Sequence, residues 1–356
     1  MNLSPERIPH SKPTLGRQEI EAVARVMESG QVSQAEKVAA FEKALSSGVQ
    51  RGYGAAVNSG TSALHLSLLA LGVAQGHEVI IPAYACTALL NAINYTGAIP
   101  VLADIDPGTF NLDPVDAGKR LTSHTAAIIV PHLFGRPADM NSLEELGPPI
   151  IEDCAQAIGG LYQGRPVGSF GRLSIFSFYA TKVITTAEGG MVVADAPELI
   201  AAIRDLKEYD RPLDGRTRYN YKMSDLSGAM GLIQLARLPE FIGKRRALAA
   251  RYSENLEGLD LTRPGDEAEN GHIFYRYVVR IKREKMEPII RFLDSAGITA
   301  ARPVFRTLAS YLGRDDEFPG TKEAFETALS LPIYPELAPP LVDRVSDQLA
   351  RAMERV

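Results

Sequence analysis

The residue types that could carry out chemistry fall in a few short segments of this 356-residue chain. In the segment FSFYATKVITTAEGG, Lys182 stands in a polar loop between two strongly apolar runs. A lysine held in place by a rigid sheet can acquire the lowered pKa and fixed position that imine formation requires. The alternative is an ordinary solvated surface charge, which is the usual state of a loop lysine. The surroundings of Lys182 must decide between the two.

A second segment, NSGTSALHL, places Gly60, Thr61 and Ser62 at the start of a predicted helix, directly after a strand end. Free backbone N–H groups and the positive end of the helix dipole make such a start a binding site for phosphate. The alternative is a tight turn with an ordinary helix cap.

A third segment, IEDCAQAIGG, ends an apolar run with Asp153, and Gln156 follows. Burying a carboxylate costs free energy unless it is paired, and a protonated pyridine nitrogen is a suitable partner. The alternative for Asp153 is a structural cap of the next turn, and Gln156 suits a solvated loop equally well. Ser177, in an aromatic run shortly before Lys182, either contacts phosphate or simply packs.

Apolar and helical patterns alternate around these segments. Nearly all-apolar runs predict buried strands at 78–84, 99–105, 125–132, 149–155, 173–180 and 190–195. Helices are predicted at 61–73, 85–95, 138–146, 197–208 and 224–238, the last ended or kinked by Pro239. This order predicts an α/β fold with a mainly parallel sheet and ligands at the carboxyl ends of its strands. We expect a large domain over residues 1–241 and a smaller α+β domain over 242–356, with a strand at 272–282.

Composition excludes several classes of function. With 45% apolar residues and a net charge of −5, the chain predicts a large core and no attraction to nucleic acid. The apolar stretch 79–105 is interrupted by prolines, so no membrane span is expected, and the N-terminus does not resemble a secretory signal. Two cysteines without CxxC spacing and six scattered histidines favour a cytoplasmic protein without disulfides and give little support for a metal site.

The segments NSGTSALHL, VIIPAY, EDCAQAIG, FSFYATK, EGGMV and YNYKMSDLSGAMGLIQL, in this order, resemble the DegT/DnrJ/EryC1/StrS family of sugar aminotransferases. The resemblance runs from SKPTLGRQEIEAV to LSLPIYPEL, which is essentially the whole chain. It implies a fold-type I enzyme that uses pyridoxal 5′-phosphate, with pyridoxamine 5′-phosphate as the intermediate form. The implied reaction moves an amino group from an amino acid, usually glutamate, to a nucleotide-linked keto-sugar in amino-sugar or polysaccharide biosynthesis.

The resemblance also implies roles for residues at the matching positions. Lys182 is expected to form the Schiff base and to move the proton, and Asp153 to pair with the pyridine nitrogen. Gln156 is expected to contact the phenolic oxygen. The phosphate is expected to be held by Gly60, Thr61, Ser177 and, from the neighbouring subunit, Asn220. The family pattern therefore implies a homodimer with shared active sites.

Two positions depart from the family pattern. Where relatives usually have an aromatic residue that stacks on the cofactor ring, this chain has Cys86, with Tyr84 two positions earlier. Either the stacking surface is smaller, or Tyr84 compensates from another direction. In the C-terminal part, Arg302 and Arg306 stand where many relatives carry histidines. Arginine suits recognition of a carboxylate or phosphate on the substrate, and the alternative is a pair of surface arginines on a turn.

Two other functions fit the same resemblance. One is a sugar dehydratase that uses the same cofactor, but relatives of that type have histidine where Lys182 stands. The other is a non-catalytic regulator, which need not keep Lys182, Asp153 and the phosphate site together. The absence of a helix-turn-helix pattern or basic patch in the sequence counts against a DNA-binding regulator.

Overall fold

The apolar segments between residues 53 and 194 form one seven-stranded sheet in the computed structural model, which describes residues 7–210, 214–265 and 271–355. The strands of the described chain are β1 (Tyr53–Val57), β2 (Glu78–Pro82), β3 (Ile99–Ala103), β4 (Thr125–Pro131), β5 (Ile150–Asp153), β6 (Leu161–Tyr162), β7 (Arg165–Pro166), β8 (Leu173–Ser177), β9 (Gly190–Ala194), β10 (Tyr277–Arg280) and β11 (Ala328–Leu331). Each predicted strand of the sheet is present, although most are shorter than the apolar run that contains them.

The order of strands in this sheet is β1-β9-β8-β5-β4-β2-β3. Strands β2, β3, β4, β5 and β8 pair in parallel, which confirms a mainly parallel α/β sheet. Among the strands of this sheet in the described part of the chain, only β9 runs antiparallel to its neighbours, which are β1 and β8. The reason is local, because the loop 178–189 between β8 and β9 contains no helix that could carry the chain back to the opposite edge.

Helices cover the sheet and build the C-terminal part. They are α1 (Arg17–Ser29), α2 (Glu36–Gly48), α3 (Gly60–Ala70), α4 (Thr87–Thr96), α5 (Pro114–Lys119), α6 (Met140–Glu144), α7 (Pro197–Leu206), α8 (Asp225–Ala236), α9 (Leu238–Asn255), α10 (Met286–Ser295), α11 (Leu308–Tyr311), α12 (Pro319–Thr327) and α13 (Pro339–Arg355). None of the helices in the described ranges is both long and apolar enough to cross a membrane.

Two predictions about the C-terminal half need adjustment. A helix boundary does lie beside Pro239, but the helix predicted at 224–238 ends earlier, at Ala236, and Pro239 lies in the first turn of α9. A proline is tolerated there because the first N–H groups of a helix have no partner within it. The strand predicted at 272–282 is only Tyr277–Arg280, since residues 273 and 276 instead bond to the loop at 134–135.

Buried side chains form a sheet-centred core and a separate C-terminal cluster built on β10, β11, α10 and α13. Ile8 belongs to the second cluster and pairs with Ile298. Helix α9 contributes to two clusters, with Phe241 and Ile242 on the sheet side and Leu248 and its neighbours in the C-terminal cluster. The proposed division at residues 241 and 242 therefore falls inside α9, and the two-domain description stays a prediction.

Candidate active site

The predicted site residues gather at one edge of the sheet. Because β1, β2, β5 and β8 share one direction, the residues that follow their last positions meet at the same edge. The segments that meet there are the start of α3 after β1, Cys86 after β2, the turn after Asp153 in β5, and the loop with Lys182 after β8. This is the edge at which parallel α/β sheets usually bind ligands.

Lys182 lies in a turn of the β8–β9 loop and is half-buried. Its backbone N–H donates to the carbonyl oxygen of Tyr179 at 2.9 Å. Its Nζ atom lies 5.5 Å from the ring centroid of Tyr275 and forms no ion pair with a carboxylate of the described chain. The amine therefore remains available for a covalent partner.

The start of α3 meets β8 and β9 at very short distances. A Cβ atom on Gly60 would lie 2.8 Å from Cβ of Ser177, and one on Gly190 would lie 2.3 Å from the carbonyl oxygen of Ser59. Within the described ranges, the N–H groups of Gly60 and Thr61 donate no hydrogen bond. Free N–H groups at a helix start, next to the Ser177 hydroxyl, fit a phosphate group, and both glycines keep that space open.

Asp153 closes β5 with a side chain that is only 6% exposed. Its Oδ1 atom accepts a hydrogen bond from the N–H of Ala155 at 2.9 Å. Burial raises the pKa of the Asp153 carboxyl, while the Ala155 hydrogen bond and the charge of Lys182 oppose that rise. A protonated ring nitrogen placed against this carboxylate would offset the cost of its burial.

Gln156 stands on the turn that follows Asp153, and the backbone of Phe134 fixes the orientation of its amide. The Oε1 atom of Gln156 accepts a hydrogen bond from the N–H of Phe134 at 2.9 Å. The NH2 group of the half-buried amide is thereby left to donate elsewhere. This arrangement suits a contact with the phenolic oxygen of the cofactor.

Cys86 is exposed to solvent, yet it is surrounded by protein. Burial raises the pKa of its thiol, Lys182 lowers it, and Asp153 raises it further. The electrostatic influence of Lys182 and Asp153 on the thiol indicates that the three side chains lie near one another. Its contact with the cofactor ring stays a prediction.

Tyr84 is buried in an aromatic cluster. Its ring has 0% exposure and lies 6.1 Å from the ring of Phe110 and 6.3 Å from that of Phe134. Its hydroxyl has no hydrogen-bond partner in the described parts of the chain. Burial raises the pKa of this phenol, and the charge of Arg302 opposes the rise. A substrate contact of Tyr84 stays a prediction, for which the ring offers no accessible surface.

The two arginines of the C-terminal part differ in their surroundings. Arg302 forms an ion pair with Glu287 at 3.0 Å. Arg306 is exposed, donates to the carbonyl oxygen of Ser310 at 3.0 Å and lies over the ring of Tyr311 at 4.6 Å. Arg306 therefore keeps more capacity to bind an anion than Arg302, and the role of each in substrate binding stays a prediction.

Asn220 is exposed, on a short segment that packs against its own subunit. The side-chain amide of Asn58 donates to the carbonyl oxygen of Asn220 at 3.3 Å. His65 packs edge-on against the rings of Tyr219 and Tyr221, with 4.8 and 6.0 Å between centroids. The neighbours of Asn220 are thus anchored while its side chain faces outward.

A buried polar group braces the strand that carries Asp153. The two carboxylate oxygens of Glu152 accept hydrogen bonds from Gly168 N at 2.7 Å and Phe170 N at 2.9 Å, and His132 Nε2 lies 2.9 Å away. Cys154 completes a group whose potential ligand atoms lie within 4.8 Å of one another. Because both carboxylate oxygens are already used by backbone N–H groups, this group is organised as a structural brace.

Sequence reasoning overlooked Tyr275, which is 6% exposed and whose ring faces Lys182. A buried aromatic residue in an alternating apolar segment is typical of a strand, so nothing in the local sequence distinguishes it. The contact between Tyr275 and Lys182 forms because the fold brings the segment of Tyr275 back to the edge of the sheet.

Amino transfer with an organic phosphate cofactor is the chemistry that this edge suits. Residues 13–350 match the DegT/DnrJ/EryC1/StrS aminotransferase family, and the chain belongs to that family. It is 34% identical to GDP-perosamine synthase of Caulobacter vibrioides, over 95% of this chain and 96% of the relative. It is also 34% identical to the GDP-perosamine synthase of Escherichia coli O157:H7, over 93% of this chain and 94% of the relative.

Solved structures agree in fold. The putative sugar aminotransferase Spr1654 of Streptococcus pneumoniae, in its PLP form, superposes with a TM-score of 0.93 at 28% identity, over 98% of this chain and 99% of that chain. Its PMP form superposes equally well, with a TM-score of 0.93. DesI, solved in the presence of its TDP-sugar product, gives a TM-score of 0.91 at 29% identity, over 98% of this chain and 94% of that chain.

Proposed function

We propose that this protein is a pyridoxal-phosphate-dependent aminotransferase that moves an amino group from an amino acid to a keto-sugar in amino-sugar biosynthesis. The observation that carries the proposal is the meeting of Lys182, Asp153 and the glycine-lined start of α3 at one sheet edge. The PLP and PMP forms of the pneumococcal relative support the use of the same two cofactor forms here.

Pyridoxal phosphate, when bound, supplies a ring that takes up the electron pair left behind as a substrate proton departs. Lys182 would hold the cofactor covalently through Nζ and would then carry that proton between the substrate carbon and the C4′ atom. Asp153 would keep the ring nitrogen protonated, and Gln156 would donate to the phenolic oxygen. The phosphate would be held by Gly60, Thr61 and Ser177.

The substrates are proposed by chemical class. An amino acid, with L-glutamate as the first candidate, would donate the amino group. The names of relatives, GDP-perosamine synthase and a structure with a TDP-sugar product, support a nucleotide-linked keto-sugar as the acceptor. Exposed Arg306 is the more available of the two C-terminal arginines for an anion on that acceptor.

A homodimer with shared active sites is the proposed assembly. Asn220 is exposed and would reach the phosphate in the partner's site. On α1, Ile20 and Met27 are 63% and 64% exposed and stand two turns apart, which gives an apolar stripe that a second subunit could cover. A cytoplasmic location is proposed, and the buried free thiol of Cys154 is compatible with a reducing compartment.

Lys182→Ala tests the proposed function. Amino transfer should fall by at least roughly 100- to 10,000-fold, since the group that moves the proton is gone. The visible absorbance of bound pyridoxal phosphate should no longer shift on addition of glutamate. Lys282→Ala, at an exposed lysine paired with Asp260, is the matched control and should keep wild-type activity. Wild-type turnover by Lys182→Ala would contradict the assignment of the lysine.

Mass spectrometry separates amino transfer from dehydration. Incubation with a keto-deoxysugar and glutamate should yield an aminated sugar, whereas a deoxygenated sugar would identify a dehydratase. A colourless protein that retards DNA fragments in a gel would support a regulator instead.

A further inference from the structure

Tyr275 is a buried phenol surrounded by cations. The Nζ atom of Lys182 lies 5.5 Å from its ring centroid, and the guanidinium carbon of Arg276 lies 4.9 Å from the same centroid. Arg245 is fully enclosed behind it and donates to the Tyr275 carbonyl oxygen at 3.2 Å. Cations over an aromatic face are attracted to it, and they also favour a negative charge on its oxygen.

These cations lack a carboxylate partner. Arg245, which is 2% exposed, donates only to backbone carbonyl oxygens, and its Nε atom has no partner in the described chain. Arg276 contacts Nδ1 of His10 at 2.8 Å. Across the described ranges, neither arginine nor Lys182 forms an ion pair with an acidic side chain. A buried cation without a counter-charge, as Arg245 is, is costly, so an anion formed next to it is favoured.

The ionisation of Tyr275 follows from this placement. Burial raises the pKa of its hydroxyl. The opposing contributions, the largest first, lower the pKa to about 8 and come from Lys182, Arg276, a hydrogen bond with Thr181, and Arg245. The acidic groups that act on Lys182 from the sheet side are Asp153 and Cys86, and burial raises the pKa of each.

The backbone also fixes Tyr275 relative to the site. Ile273 N donates to the carbonyl oxygen of Gly135 at 3.0 Å, and Arg276 N donates to that of Phe134 at 3.2 Å. A Cβ atom on Gly135 would lie 2.8 Å from Tyr275 N, so the two segments touch. Since Phe134 N also bonds to Gln156, Tyr275 is held in register with the turn that follows Asp153.

We propose that Tyr275 is a positioning residue for Lys182. The face of its ring holds the lysine ammonium in place, and the negative charge of its ionised hydroxyl stabilises that ammonium. The inference rests on the proposed function, because that function makes Lys182 the cofactor lysine.

Carbon-13 NMR of protein labelled at the tyrosine ζ carbon tests the proposal on the purified protein with bound pyridoxamine 5′-phosphate, the cofactor form to which Lys182 is not covalently joined. One tyrosine should ionise with a pKa of about 8. Its signal should be missing in Tyr275→Phe. In Lys182→Met, which leaves Tyr275 in place, the pKa of this tyrosine should rise toward its ordinary value of 10.0. Tyr252→Phe removes the hydroxyl of another buried ring, which donates to the carbonyl oxygen of Pro332, and should leave the titration unchanged.

A second measurement follows the visible absorbance of the bound cofactor with pH. Tyr275→Phe removes an anion near Lys182, so the pH at which the band changes should fall. The proposal is overturned if no tyrosine ionises near pH 8, or if Lys182→Met leaves that ionisation where it was. Borohydride reduction and peptide mapping show separately whether the cofactor is bound to Lys182, so a failure of the proposed function is distinguished from a failure of this inference.

Discussion

At the scale of single residues, two glycines are tightly packed where the phosphate is expected. Gly60 leaves room that any side chain would take from Ser177, and Gly190 allows the backbone of Ser59 to pass. Both positions have backbone angles that other residues can adopt, because neither is among the glycines with positive φ. Their requirement is one of space rather than of conformation.

Gly60→Ala should therefore weaken cofactor binding while the protein still folds. The added Cβ would lie 2.8 Å from Cβ of Ser177, so the start of α3 must shift away from β8. We expect the dissociation constant for pyridoxal phosphate to rise by roughly tenfold or more, which corresponds to the loss of one well-placed hydrogen bond to a charged group. Fluorescence titration of cofactor-free protein measures it.

Gly243→Ala is the matched control. Gly243 lies in α9, and a Cβ there would meet nothing within 4 Å. The substitution should leave cofactor affinity unchanged and stabilise the fold by up to about 1 kcal/mol, because alanine favours helix more than glycine does. If Gly60→Ala and the wild type bound the cofactor with equal affinity, the phosphate would not be bound at the start of α3.

Local sequence was sufficient for some site residues and not for others. Glycine and threonine after a strand, or an aspartate that closes one, belong to short stretches whose chemistry is readable. Tyr275 and the partners of Arg302 are brought in by segments distant along the chain. Their contacts depend on how the C-terminal part meets the sheet, which no local pattern records.

At the scale of elements, α2 and α8 are joined by one buried carboxylate. Asp225 opens α8 at 3% exposure, and its two oxygens accept hydrogen bonds from the N–H groups of Ala35, Lys37 and Val38 at the start of α2. The negative charge also suits the positive ends of both helix dipoles. This single side chain thus holds two helix starts together.

Asp225→Ala should destabilise the protein by about 1–3 kcal/mol or more, because it leaves buried N–H groups without partners. Urea unfolding at a fixed, saturating concentration of cofactor measures the change. Asp316→Ala, at a side chain that is 92% exposed, should change the free energy of unfolding by no more than about 0.5 kcal/mol. Similar values for the two variants would contradict the role given to Asp225.

Element types followed from the sequence more readily than their directions and ends. Apolar runs located six of the seven strands of the sheet, because burial on both faces leaves little room for polar residues, whereas β1 was indicated only as a strand end before Gly60. The reversed direction of β9 was not predicted, since it depends on a loop without a helix. The short β10 was overestimated because residues 272–276 are as apolar as a strand but bond to the loop at 134–135 instead.

At the scale of the whole molecule, the proposed shared sites can be tested by mixing subunits. Lys182→Ala and Asn220→Ala subunits are each expected to be defective alone. In a mixed dimer with shared sites, one site would carry both defects and the other neither. Random exchange of equal amounts should therefore restore roughly one site in four. Light scattering establishes the dimer first, and no recovery from mixed dimers would show that each site belongs to one subunit.

The buried histidines make the stability of the fold depend on pH. Burial lowers the pKa of His65 from 6.5 to about 4, and burial together with nearby arginines lowers those of His10 and His272 to about 3. The unfolded chain then binds more protons than the folded chain between these values and 6.5. Stability is therefore full above pH 6.5 and declines as the pH falls toward 4.

Urea unfolding over this range should show the decline, and His65→Phe should reduce its slope. Phenylalanine fits among Tyr95, Tyr219 and Tyr221 and takes up no proton. Each histidine contributes at most about 1.4 kcal/mol per pH unit, so the change in slope should approach that value. An unchanged slope would show that His65 does not titrate on unfolding.

Helix α9 has a further consequence for how this fold tolerates change in length. Its first turns are fixed in one cluster through Phe241 and Ile242, and its last turns in another through Leu248, Ala249 and Tyr252. Because both ends of α9 are packed into fixed clusters, adding one residue between these contacts would rotate the C-terminal end of the helix by about 100° relative to its first turns. Insertions between the two clusters should be accepted only near whole multiples of a turn. The position of Tyr275, whose carbonyl oxygen accepts a hydrogen bond from Arg245 of α9, therefore depends on the length of this helix.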